Sequence, residues 1–367
     1  MEVPFFRYSH VFEQHRRVVL QAVTDTASRG AFILQDEVVE FECQAAEFAG
    51  ANHAVGVSNA TDGLILALHA AGIGSGDEVI FASHTYIATA AAIHYNGATP
   101  VPVDCGPDHL MDPAAAAAAV TQRTRAIIPT QLNGRTCDMG ALGALAEQHD
   151  LIIVEDAAQA LGSRFRGRAA GTFGMAGAIS FYPAKVLGCL GDGGLLLTND
   201  DAAAATLRQL RDHGRDEGGT VRDWGYNARL DNLQAAVLLA KWSDYPAEIE
   251  RRRAIARRYE EQLAGLDDLT LPPGPDSDAD RFDIFQNYEV EADCRNLLRE
   301  RLKENGIGTI LQWGGTAVHQ FPFLEGDWNL PATDRLFARC FLLPMNTSLT
   351  DDEVDYICGV IQDFFGA

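Results

Sequence analysis

The chain has 367 residues, 47% of them hydrophobic, which is enough for a large core and, at roughly 100–200 residues per domain, for two domains. Fifty-one acidic residues against 29 basic ones leave a net charge of −22, so a nucleic-acid backbone or an anionic membrane surface is a poor partner. Seven cysteines stand singly without a C-x-x-C pair and no apolar run reaches ~18 residues, so a reducing, cytoplasmic setting is expected.

From about residue 50 to about residue 200, short apolar runs alternate with helical patterns. That alternation is the signature of an α/β domain on a largely parallel sheet. The first strand is expected at Ala54–Val57, and Ser58-Asn59-Ala60-Thr61-Asp62-Gly63 joins it to a helix opening near Thr61. Small and hydroxylated residues at a helix N-terminus suit a phosphate, since free N–H groups and the dipole point at it; an ordinary N-cap by Asn59 or Thr61 explains them equally. Gly72-Ile73-Gly74-Ser75-Gly76 resembles a dinucleotide loop only loosely and precedes a strand, whereas that loop must follow one. Strand Glu78–Ala82 leads through Ser83-His84-Thr85-Tyr86 to a helix near Ile87; Tyr86 either stacks on a planar group or joins the core. Strand Thr99–Val103, a helix from Asp112 that takes in the alanine run Ala114–Ala119, strand Ala126–Pro129 and a helix from Asp138 follow.

The next strand, Leu151–Glu155, is followed by Asp156, at the carboxyl end where open α/β sheets place their ligands. Asp156 reads as a site acid or a helix N-cap, and Glu155 beside it is not distinguished by composition. Gln159 lies three residues on, so it shares a turn with Asp156 if a helix begins there. Strand Ala178–Tyr182 carries Ser180, a site hydroxyl or a satisfied core one. Lys185 leaves that apolar strand for the stretch Gly188–Gly194 rather than a charged helix face, and strand Gly194–Thr198 and a helix from Asp201 follow. Desolvation there lowers an amine's pKa and yields a neutral nucleophile. Acid, hydroxyl, lysine and glycine stretch in this order read as a site for pyridoxal phosphate. The amine condenses with the cofactor aldehyde, the carboxylate keeps the pyridine nitrogen protonated, and the hydroxyl takes part of the phosphate. The ten histidines show no H-E-x-x-H or zinc-type spacing, so no metal site is expected. A charged helical pattern from about Asp231 to Leu263 bridges to a second region and breaks at Leu271-Pro272-Pro273-Gly274-Pro275. Residues 1–245 are expected as a large cofactor domain and 246–367 as a smaller α+β domain.

The chain resembles the pyridoxal-phosphate-dependent sugar aminotransferases of the DegT/DnrJ/EryC1/StrS type over nearly its whole length. The stretches that carry the resemblance are Ala60-Thr61-Asp62-Gly63, Gly74 to Ile80, His84-Thr85-Tyr86-Ile87-Ala88-Thr89, Glu155 to Ala160, Ser180 to Lys185 and Gly225-Tyr226-Asn227-Ala228-Arg229-Leu230-Asp231. It implies an aspartate-aminotransferase-like fold (PLP fold type I), with a mostly parallel seven-stranded sheet and a smaller α+β carboxyl-terminal domain, working as a homodimer with active sites at the interface. It implies that Lys185 binds the cofactor aldehyde, Asp156 the pyridine nitrogen and Gln159 the ring hydroxyl. By the same analogy Tyr86 stacks on the ring, while Thr61, Asp62 through its backbone N–H, and Ser180 hold the phosphate, with Asn227 reaching in from the partner subunit. Arg229, Trp313 and His319 are the substrate candidates. Relatives often have His-Tyr where this chain has Gln312-Trp313, and Leu-Pro-Leu-His or Leu-Pro-Met-His where it has Leu343-Pro344-Met345-Asn346; these departures bear on the sugar. The implied reaction moves an amino group from L-glutamate to a keto carbon of a nucleotide-linked keto-deoxy sugar, with a cyclitol or a free keto sugar as the alternative acceptor. A dehydratase of this fold has histidine for the lysine, so Lys185 argues against it, and intact Lys185, Asp156 and Ser180 argue against a non-catalytic regulator.

Overall fold

The computed structural model describes residues 1–366. Seven strands form the main sheet: β1 (His53–Val57), β2 (Glu78–Ala82), β3 (Thr99–Val103), β4 (Thr124–Ile128), β5 (Ile152–Asp156), β6 (Ala176–Ser180) and β7 (Gly194–Thr198). Their order is β1-β7-β6-β5-β4-β2-β3, and β7 alone runs antiparallel to its neighbours. Helices cover both faces, so the strands are apolar on both sides. Leu195 and Leu197 pack on one face with Ile179, Phe41 and Leu238, while Leu196 packs on the other with Val55, Leu64 and Phe81. That split is the two-residue alternation of a strand.

The strand expected at Ala178–Tyr182 is in register two residues earlier, and its ladder ends at Ser180. Phe181 remains fully buried, which extended the apolar pattern beyond the sheet, whereas Tyr182 is exposed. The long helix expected from Asp231 to Leu263 is two, Asn232–Trp242 and Tyr245–Leu263, separated at Ser243-Asp244. Pro246 falls in the first turn of the second helix, where a missing N–H costs nothing.

Helix Tyr245–Leu263 spans two cores. Tyr245 and Ile249 lie in the cluster beside the main sheet, while Ile255, Tyr259 and Leu263 join a carboxyl-terminal cluster. The latter is built on the antiparallel pair β8 (Tyr288–Glu291) and β9 (Cys340–Leu343) and on helices Arg295–Glu304 and Asp351–Phe365. Val3 is fully buried in this same cluster, through hydrogen bonds with Gly306 and Gly308.

Candidate active site

The carboxyl ends of β1, β2, β4, β5 and β6 point the same way, and a cavity of about 680 Å³ opens beyond them. Thr61, Asp62, Tyr86, Asp156, Gln159, Ser180, Lys185 and Trp313 all line it. Two glycines make room for this arrangement. A Cβ on Gly194 would lie 2.5 Å from the Asn59 carbonyl carbon, so only glycine lets β7 pass under the helix Ala60–Ala70. A Cβ on Gly188 would lie 2.9 Å from the carbonyl oxygens of Tyr182 and Pro183, so the chain curls tightly behind Lys185.

Strand alternation separates Glu155 from Asp156. Glu155 is fully buried on the far side, where it accepts N–H bonds from Gly171 (2.7 Å), Phe173 (2.5 Å) and Gly174 (3.1 Å) and from the Gln131 carboxamide (2.7 Å). It pins a loop. Asp156 faces the cavity at the end of a chain of hydroxyls: Thr130 donates to Thr85 (2.9 Å), Thr85 pairs with Thr89 (2.8 Å), and Thr89 donates to Asp156 Oδ2 (2.6 Å). The Ala158 N–H reaches Oδ1 at 3.2 Å. Burial pushes the Asp156 carboxyl above its ordinary range, opposed by the Thr89 hydroxyl, the Ala158 amide and the Lys185 charge. Burial likewise pushes the Lys185 amine down to about 8, against the pull of Asp156. An acid and an amine are thus both held nearer neutrality than in water, the condition for exchanging protons near pH 7.

Gln159 is oriented by its neighbour. The N–H of Asn133, a residue in the left-handed region at φ 56°, donates to Gln159 Oε1 at 2.8 Å. With the oxygen taken, the amide nitrogen is left as a donor, which suits a ring phenolate. At the helix Ala60–Ala70, Asn59 caps the Asp62 N–H (2.8 Å) and the Asp62 carboxylate accepts from Ser58 and from Asn59 Nδ2 (2.9 Å). The Asp62 N–H is therefore spent on the cap. The N–H groups of Ala60 and Thr61 have no acceptor among the described residues, and they are the donors this terminus offers an anion. Ser180 Oγ accepts the Tyr182 N–H at 3.2 Å and keeps its proton to donate. Tyr86, 54% exposed, lies with its ring centre 5.3 Å from that of Trp313, tilted by 42°. Trp313 sits in the left-handed region at φ 53°, and its Nε1 is buried without a partner among the described residues.

Three expected site residues are not brought to the cavity by this chain. Asn227 is exposed on a segment running beside Ser58, whose N–H bonds the Ala228 carbonyl at 3.0 Å. Arg229 pairs with Asp212 at 2.8 Å. His319 is locked between Ser83 Oγ (2.7 Å) and Asp334 (3.1 Å), a staple rather than a cleft residue. Conversely, Thr89, Thr130 and Asn133 were not singled out from the sequence. Thr89 follows Tyr86 by three residues, a helical spacing that hints at a shared face; Asn133 carried no such signal.

A doubly wound α/β sheet in this strand order, with a partly buried lysine and a buried aspartate at the carboxyl ends of its strands, defines a fold-type-I transferase of the pyridoxal phosphate class. The model of the DegT/DnrJ/EryC1/StrS aminotransferase family matches residues 14–362. A dTDP-3-amino-3,4,6-trideoxy-α-D-glucose transaminase of Streptomyces venezuelae is 40% identical over 368 residues, covering 99% of this chain and 96% of that protein. A protein of Geobacillus stearothermophilus called a pleiotropic regulatory protein is 37% identical over 372 residues, covering 100% and 99%. Among solved structures, DesV of S. venezuelae in complex with a ketimine intermediate superposes with a TM-score of 0.95 at 37% identity, covering 100% and 99%. The chain belongs to the DegT/DnrJ/EryC1/StrS aminotransferase family, whose solved members include forms with bound pyridoxal and pyridoxamine phosphate.

Proposed function

We propose that the chain transfers an amino group from L-glutamate to the keto carbon of a nucleotide-linked keto-deoxy sugar, with pyridoxal phosphate as cofactor. The observation that carries this reading is Lys185 and Asp156 lining one cleft, each shifted toward neutrality by burial. When bound, pyridoxal phosphate supplies an aldehyde that takes up amines and a protonated ring that draws electrons from the adjoining carbon. The residues fit it: the Asp156 carboxylate would hold the proton on the ring nitrogen, the Gln159 amide nitrogen, its oxygen already taken, would donate to the ring hydroxyl, and Tyr86 would offer a ring face. Thr61, through its N–H, and the Ser180 hydroxyl take the phosphate. Lys185, its amine held down to about 8, is the residue that would hold the cofactor's aldehyde and that could take up and release a proton in the cleft. Trp313, tilted against Tyr86, lines the same cleft and is the residue through which an acceptor sugar would be read.

A homodimer supports the rest. Among the described residues, the lining of the cleft holds the acids Asp62, Asp156 and Asp192 and, as its one cation, Lys185, which the cofactor would engage, so further counter-charge for a nucleoside diphosphate would have to come from outside this lining. The loop that carries Asn227 also exposes Trp224 (89%) and Val221 (62%), surface that a second copy covers. Arg229 stands on the same segment, held by Asp212 at 2.8 Å, and is the basic residue this segment would bring toward a neighbour's substrate. We assign residues 1–245 and 246–367 to a large and a small domain, with helix Tyr245–Leu263 as their shared strut, and place the protein in the cytoplasm; no helix among the described residues is long and apolar enough to cross a membrane.

The purified protein is expected to be yellow, to lose that absorbance on borohydride reduction and to carry the reduced adduct on Lys185; an adduct on another lysine overturns the assignment. A glutamate-dependent screen of keto sugars then decides the acceptor, and amino transfer to cyclitols or free keto sugars alone overturns the nucleotide-linked reading. For the shared site, Lys185→Ala and Asn227→Asp subunits, each inactive alone, regain activity when mixed, because exchange builds one site with both native residues. A dead mixture after demonstrated exchange removes Asn227 from the neighbouring site.

A further inference from the structure

One buried carboxamide clamps the backbone on both sides of Lys185. Gln286, 6% exposed, lies two residues before β8 and about a hundred residues from the lysine. Its Oε1 accepts the Val186 N–H at 3.0 Å, and its Nε2 donates to the Ala184 carbonyl at 2.9 Å. The side chain thus pairs with the main chain as a neighbouring strand would, at a place where β6 has already left the sheet. Gln286 is itself anchored: the buried Arg252 guanidinium donates through Nη1 to the carbonyls of Phe285 (3.1 Å), Gln286 (3.0 Å) and Met345 (3.0 Å). Farther along, Lys241 holds the Gly188 carbonyl at 2.7 Å and Gln234 holds both the N–H and the carbonyl of Leu190 (2.9 and 2.7 Å). Of these clamps, only Gln286 grips the residues adjoining Lys185.

We infer that Gln286 is a positioning residue for Lys185: by fixing the carbonyl before it and the amide after it, the carboxamide sets the backbone dihedrals at residue 185 and so aims the amine into the cleft. The inference rests on the reading of Lys185 as the lysine that binds the cofactor. Its chemistry demands a donor and an acceptor on one planar group. An ionised glutamate accepts from Val186 but turns a lone pair on the Ala184 carbonyl, and methionine, of similar length, offers neither bond. Asparagine is one methylene too short to span both. The expected order of function is therefore glutamine, glutamate, methionine.

The test uses full-length protein freed of cofactor, as wild type, Gln286→Glu and Gln286→Met, and reads four quantities: melting temperature, hydrogen exchange at residues 183–188, the rate at which added pyridoxal phosphate is captured as the borohydride-reducible form, and the pH midpoint of that capture. In Gln286→Met, which loses both bonds, exchange at the Val186 amide rises and capture slows by about tenfold, equivalent to about 1.4 kcal/mol. The adduct still maps to Lys185, the pH midpoint moves, and Gln286→Glu falls between. Capture at the wild-type rate and midpoint in either variant overturns the inference, whatever the melting temperature does, and should Gln286→Met not fold, Gln286→Glu decides alone. An adduct absent from Lys185 in the wild type sinks the cofactor assignment instead, so the two failures are told apart.

Discussion

Two buried groups of acids and bases lie in this molecule, and burial ends differently in each. At the seam between the main sheet and β8, His109 bonds Glu289 through Nδ1 and Glu291 through Nε2, both at 2.9 Å, while His84 stands 3.2 Å from Glu289. Burial disfavours the charged imidazole of His109, but its two carboxylate bonds outweigh that and push it up to about 10. Burial alone would raise Glu289, yet the two histidines hold it well below the usual carboxylate range. In the cleft, by contrast, the charge of Asp156 does not offset what burial does to Lys185, and both groups move toward neutrality. Direct pairing favours the charged forms in the seam; its lack in the cleft leaves Asp156 and Lys185 nearer to neutrality. The two are joined through Asn133, whose N–H holds Gln159 while its Nδ2 reaches Glu289 at 3.2 Å.

The hardest test of that contrast is Asp156→Asn. An amide cannot hold the proton on the ring nitrogen electrostatically, so cofactor binding survives in part while turnover falls roughly a thousandfold or more. Turnover near wild type would make Asp156 another structural acid, like Glu155.

The seam is broken by His109→Leu, which leaves Glu289 and Glu291 without their shared cation and is expected to cost about 3 kcal/mol in chemical unfolding. A folded-state pKa raised from 6.5 to about 10 gives a stabilisation fully present below pH 6.5 and lost as the pH climbs through about 10. The difference between variant and wild type should therefore shrink across that window, and a pH-independent difference would mean that shape, not charge, holds the seam.

The cleft was the more legible of the two regions. Asp156, Ser180 and Lys185 announce themselves because each sits at the end of an apolar run, and strand periodicity alone puts such positions at one edge of a sheet. Nothing local announces the seam, since Asn133 and Glu289 are 156 residues apart and His319 meets Ser83 across 236. His319 illustrates the reason: a histidine in a loop looks available until its distant partners, here Ser83 and Asp334, are known. The split of the long helix at Ser243-Asp244 was hidden because the charged helical pattern continues past it. The amino-terminal helices Tyr8–Ser28 and Asp36–Ala49 went unread; in the first, only His15, Val19 and Thr26 are buried, too sparse a stripe to stand out in a polar segment.

Lys185→Met sharpens the contrast from the other side. Because the folded pKa of about 8 lies below the ordinary 10.5, burying the charged amine costs stability fully below pH 8, and the cost fades as the pH rises toward 10.5. Freed of cofactor, the methionine variant should be more stable than wild type at pH 7 by on the order of 2 kcal/mol, and equal to it near pH 10.5. A variant less stable at pH 7 would show that Lys185 is paired as firmly as His109.

The smallest expected effect falls on the hydroxyl chain behind Asp156. Thr89→Val removes the donor at 2.6 Å, keeps the volume of the side chain, and leaves the Thr85 hydroxyl without the partner it has at 2.8 Å. The Thr89 bond lowers the Asp156 pKa, so its loss moves the carboxyl farther up and narrows the pH range in which the ring nitrogen keeps its counter-charge. Activity should fall by about tenfold, with the acid limb of kcat/KM displaced to higher pH. A fall in activity with an unmoved limb would mean that Thr89 only positions Asp156, and the separation drawn between the two buried groups would then rest on geometry rather than on how each holds its protons.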